Sequence, residues 1–153
     1  MLESLKDEMA SKVIRWLKDE GYPFTKSEND YTLLDVDTKV SSHVINICIP
    51  SYKKFDNVHI RSKIELSSDE KAKLDAMEPD IRHRFLVHIK LLGLKAFPEM
   101  HLIYGMEWSG FRGIEFCGII QYEEFNKKTF LETISYMVKV LDLVNLEYDQ
   151  LRS

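Results

Sequence analysis

The sequence is poor in the residues that most often announce chemistry. Cysteine occurs twice, glycine six times and proline four times in 153 residues. Cys48 and Cys117 each lie inside an apolar run, with no CxxC or other metal-ligand spacing. That pattern predicts two buried, reduced thiols in a cytoplasmic protein. The glycines build neither GxGxxG nor a P-loop. "GFRGIEFCG" has the count but reads as a strand, where a phosphate cradle needs a turn entering a helix. No GxSxG elbow is present. No run approaches the roughly 20 apolar residues of a membrane span. The opening "MLESLKDEMA" carries acidic charge and lacks the unbroken apolar core of a signal peptide. No block of a single sign occurs either: 21 Lys and Arg are interspersed with 25 Asp and Glu, for a net charge of -4. Nucleic acid and membrane are therefore not expected partners.

What is present suits a packed fold. Hydrophobic residues make up 44% and charged residues 30%, enough for a core and too apolar for disorder. The length fits one domain, residues 1–153. Leu2, Leu5, Met9, Val13, Trp16 and Leu17 recur at helical spacing, with Lys6, Asp7, Lys12, Lys18 and Asp19 on the other side. Gly21 and Pro23 then stop the helix. "YTLLDVD", "HVINICIP" and "NVHIRSKIEL" read as three strands. The pattern of "HVINICIP" makes both of its faces at least half buried, as in an interior strand.

Ser67-Ser68-Asp69-Glu70 offers an N-cap with acidic residues behind it, for a short helix to about Met77. Pro79 opens another helix, to about Leu92, with Gly93 and Pro98 ending it. "MHLIYGME" and "FRGIEFCGIIQY" predict a hairpin. A Ser109-Gly110 loop would place Glu107 opposite Arg112 and Trp108 opposite Phe111. A last helix starts at Asn126, where Phe125 and Phe130 stand at the positions of a hydrophobic staple.

The fold class that follows is α+β, in the order α-βββ-α-ββ-α, with a five-stranded antiparallel sheet and helices packed on it. This order, with the apolar middle helix "DIRHRFLVHIKLLGLKAF", resembles the type III secretion chaperone-like fold. That fold also occurs in small prokaryotic families of unknown function. The resemblance spans nearly the whole chain and rests on element order and that helix. It implies a homodimer joined through the middle helix and neighbouring strands, and binding of a protein or peptide without catalysis.

Site chemistry is sparse. His83 and His88 are five apart and diverge on a helix, so they do not form a metal pair. No cofactor or metal site is expected. The leading expectation is a non-catalytic, chaperone-like protein- or peptide-binding module. The alternative is a small enzyme or ligand-binding domain whose site gathers residues distant in sequence, such as His59 and His101. The excess of apolar residues on the 79–92 helix predicts a homodimer, with Phe85 and Ile89 at its interface. Trp108 and Phe111, flanking a turn, are the candidate anchors for the second subunit or a partner.

Overall fold

The computed structural model describes residues 2–52, 56–96, 101–104 and 111–151. Helix α1 spans Leu2–Asp19 and buries Met9, Val13, Trp16 and Leu17. It ends where Gly21 predicts. Gly21 sits at φ 71°. Its N–H donates to the Lys18 carbonyl at 3.0 Å, and the Tyr22 N–H donates to Leu17 at 2.9 Å. Together these bonds are a Schellman motif, which needs a left-handed residue at that position.

Lys6 departs from the expected pattern. The spacing assigns it to the polar side, yet it is only 3% exposed. Its ammonium donates to the carbonyls of Pro50 at 2.9 Å and Tyr52 at 2.7 Å. A buried cation is tolerable when its donors are met, and here it also fastens α1 to the end of a strand.

The strands are β1 (Phe24–Lys26), β2 (Thr32–Val40), β3 (His43–Pro50), β4 (Asn57–Glu65), β5 (His101–Tyr104) and β6 (Phe111–Gln121). Their order in the sheet is β1-β2-β3-β4-β6-β5. The five expected strands are all there, with β3 interior as its two apolar faces suggest. The short β1 adds an edge that the sequence did not announce. β2 and β3 join through Ser41 and Ser42, at φ 49° and 73°. With Val40 opposite His43, two positive φ values make a type I′ turn, whose twist matches the strands. The Leu66 N–H donates to Arg112 and the Tyr122 N–H to Asp56. These bonds bracket β4 and β6 from opposite ends, so the two strands run antiparallel.

The chain groups into two compact units, Met1–Ser62 with Gly118–Ser135, and Lys63–Cys117 with Tyr136–Ser153. In the first, α1 packs on β2, and the inward faces of the strands supply Leu34, Val36, Ile45, Ile47, Ile49, Val58 and Ile60. The staple forms as expected. Phe125 and Phe130 meet edge to face at 5.9 Å, and Trp16 lies against both at 5.3 and 5.5 Å. Asn126 caps helix α4 (Lys127–Tyr148) by accepting from the Thr129 N–H at 3.0 Å.

In the second unit, Ser67 caps helix α2 (Ser68–Asp75) with both bonds of a capping box to Glu70. Helix α3 spans Pro79–Ala96 and continues through Gly93. A single glycine weakens a helix by about 1 kcal/mol and does not end it unless a cap follows. In the last hairpin, Phe111 stands opposite Tyr104 and Glu115 opposite His101, with a bulge between Ile103 and Tyr104. The Ser109-Gly110 loop, and with it Glu107 and Trp108 of the expected Glu107–Arg112 and Trp108–Phe111 pairs, lies outside the described residues.

Candidate functional site

A groove of ≈ 450 Å³ runs between α1 and the β1–β2 end of the sheet, wholly within the first unit. Ala10, Ser11, Ile14, Arg15 and Lys18 form one wall, and Lys26, Leu33 and Leu34 form the other. Helical spacing explains the first wall. Residues 10, 14 and 18 make one ridge and 11 and 15 the next, on the flank beside the buried stripe. A bulge explains the second. Thr32 pairs with Pro50 and Leu34 with Ile49, so Leu33 is an extra residue in β2. In a regular strand Leu33 and Leu34 would point to opposite faces; here both line the groove. Leu33 stays 40% exposed.

The electrostatics of the groove are one-sided. Arg15, Lys18 and Lys26 are exposed and form no ion pair among the described residues. The nearby acids Asp19 and Glu20 are engaged by Lys127, at 3.7 Å each. Three unpaired cations above an aliphatic floor suit a carboxylate-bearing segment with some apolar surface. The sequence carried a partial signal, since Arg15 and Lys18 are three apart on a helix with Ile14 beside them. Lys26 gave none, because a three-residue strand has no period to read.

The outward face of β2, β3 and β4 carries the residues an enzyme would use. The Asn46 amide donates to Asp35 at 2.6 Å and Asp37 at 2.9 Å. Its oxygen accepts from Arg61 Nε at 3.2 Å and Nη2 at 2.9 Å. Asn29 donates to the other oxygen of Asp35 at 3.2 Å. One amide thus relays the Arg61 charge to two carboxylates. Cys48 stands opposite Asp35 and His59. Burial pushes its thiol pKa up; Arg61 pulls it down by less, and Asp35 raises it further. A thiol held protonated is a poor nucleophile. The His59 ring lies 2.7 Å from Asn57 Oδ1. His59 is on β4 and His101 on β5, which the sheet order separates by β6. Among the described residues no three His, Cys, Asp or Glu side chains cluster as metal ligands would.

A second cleft, of ≈ 440 Å³, is lined by Leu5, Met9, Asp56, Tyr122 and Glu123. The Tyr122 phenol oxygen is buried without a hydrogen-bond partner among the described residues. Burial, and to a smaller degree Asp56, push its pKa up to about 12.

The expected interface residues fall differently. Trp108 lies outside the described residues, and of Phe111 the backbone alone is described. Phe85 is 7% exposed and packs on the Tyr148 ring at 6.3 Å, while Ile89 is fully buried. The chain itself thus covers both. The exposed apolar residues of α3 are Ile81, Val87 and Leu91.

The family described as "Uncharacterized conserved protein (DUF2299)" matches residues 9–147. No curated protein matches the chain. An uncharacterized protein from Methanothermobacter thermautotrophicus superposes with a TM-score of 0.82 at 17% identity, over 93% of this chain and 97% of its own. YbjN from E. coli, provisionally described as a transcription regulator, superposes with a TM-score of 0.51 at 12% identity, over 89% of this chain and 90% of its own. Both likenesses concern the fold. No helix among the described residues is long and apolar enough to cross a membrane.

Proposed function

The chain belongs to the DUF2299 family, and we propose that it is a non-catalytic module that binds a protein or peptide in the groove between α1 and the β1–β2 edge. One observation carries this reading: Arg15, Lys18 and Lys26 have no carboxylate partner among the described residues and line a groove with an apolar floor. Unpaired cations cost little in water, and gain when a partner brings the opposite charge into a partly dry groove. The outward polar face supports the same choice over an enzyme. Its acids, amide and guanidinium satisfy one another, and burial pushes its thiol pKa up. The type III secretion chaperone-like element order also favours a binding role. Fluorescence anisotropy with a labelled acidic peptide tests it. The triple variant Arg15→Glu, Lys18→Glu, Lys26→Glu should lose binding while keeping its melting temperature within a few degrees. Undiminished binding by a folded variant would put the site elsewhere.

Self-association belongs to the same proposal, through the second unit. Ile81, Val87 and Leu91 of α3 and Tyr136, Leu143 and Leu146 of α4 are exposed. Large apolar side chains left in water on two helices suit a second copy of this chain.

A further inference from the structure

The pairing of β1 decides what shape of segment suits the groove. In an antiparallel pair, residues alternate between those that bond to the neighbouring strand and those whose N–H and C=O point away. The Lys39 N–H donates to the Pro23 carbonyl at 3.4 Å, and the Ser27 N–H to the Asp35 carbonyl at 2.8 Å. Thr25, opposite Asp37, is in phase with these two and bonds inward to β2. Phe24 and Lys26 are in the other phase. Since β1 ends the strand order, their two N–H and two C=O groups face out from the sheet's edge.

The same residues border the groove. Lys26 is opposite Val36, which is buried beneath α1, so its side chain shares the face of Lys18 and Arg15. A strand laid against β1 would present every second side chain to these cations, with Ile14 and Leu33 in reach of aliphatic parts. The sign reverses past β1. Ser27, Glu28, Asn29 and Asp30 line a polar cleft that would repel further carboxylates.

We propose that the groove takes an extended, acidic segment of another polypeptide, which pairs as an added strand with Phe24 and Lys26. This rests on the binding-module reading and names the partner's form: carboxylates on alternate residues beside Phe24–Lys26, and none beside Glu28 and Asp30. A second copy of β1 does not suit this edge, because its Phe24, Thr25 and Lys26 bring a further cation and no carboxylate.

Peptides test this without altering the protein. The panel is a seven-residue Glu-Val alternating peptide with blocked ends, two versions N-methylated on alternate amides in opposite phases, and a Lys-Val counterpart. Isothermal titration should show the Glu-Val peptide binding and the Lys-Val peptide not binding. One N-methylated phase should weaken binding about tenfold or more, as loss of two edge bonds implies. The other phase should bind like the parent. Equal binding by both N-methylated phases would overturn strand addition and leave the groove reading intact. Equal binding by the Glu and Lys peptides, or by neither, would overturn the groove reading itself. Displacement of the Glu-Val peptide by an equimolar single-stranded oligonucleotide would overturn a polypeptide as the preferred partner.

Discussion

A Cβ placed on residue 113 would lie 2.5 Å from the Ile64 carbonyl oxygen and 2.9 Å from the Glu65 Cα. Both are backbone atoms, so no side chain can swing aside. Gly113→Ala should therefore push β4 and β6 apart and cost on the order of 2 kcal/mol. Urea unfolding would show this as a lower midpoint with an unchanged slope. Nothing local marks Gly113 as special, because the strand it touches lies far off in sequence. Tyr122 is the opposite case, a side chain whose buried hydroxyl has no partner among the described residues. Removing an unpartnered buried hydroxyl should leave stability unchanged or raise it by about 1 kcal/mol, so Tyr122→Phe should melt no lower than the parent. The same residue sets an alkaline limit. Its pKa is raised in the fold from its ordinary 10 to about 12, so its contribution is complete below pH 10 and is lost as pH rises toward 12. A melting profile across that window should fall less steeply for Tyr122→Phe than for the parent.

At the scale of elements, helices were legible where their ends carry chemistry. Gly21, the Ser67–Glu70 box and the Phe125–Phe130 staple each mark a terminus that the fold uses. Gly93 misled, since a glycine without the bonds of a C-cap only weakens a helix. β1 was invisible because its three residues are held by β2 and have no pattern of their own. The β2–β3 turn is an unusual solution, with two serines where a type I′ turn prefers Asn-Gly. Each non-glycine residue at positive φ costs roughly 1 kcal/mol. Replacing Ser41-Ser42 by Asn-Gly should raise stability by about 1 kcal/mol, measured by denaturant unfolding. A loss of stability would mean that these serines make contacts worth more than their backbone strain.

For the whole molecule, composition and element order foretold the α+β class and the antiparallel sheet. They did not foretell the groove. It depends on a bulge at Leu33 and on which flank of α1 meets the sheet edge, and neither leaves a periodic signal. The residues expected at a dimer interface, Phe85 and Ile89, are ones the chain itself buries. Periodicity cannot say which apolar stripe faces the core when a helix has two. If self-association uses the exposed stripes, Leu91→Glu with Leu143→Glu should lower the sedimentation-equilibrium mass to that of one chain without lowering the melting temperature. An unchanged mass would remove α3 and α4 from the interface.

The central claim, strand addition at a basic edge, is tested most directly by amide hydrogen exchange along β1, with and without the Glu-Val peptide. The account predicts that Phe24 and Lys26, whose N–H groups face outward, exchange markedly more slowly with peptide bound, while Thr25, already bonded to β2, does not change. Binding without added protection at Phe24 and Lys26 would contradict it.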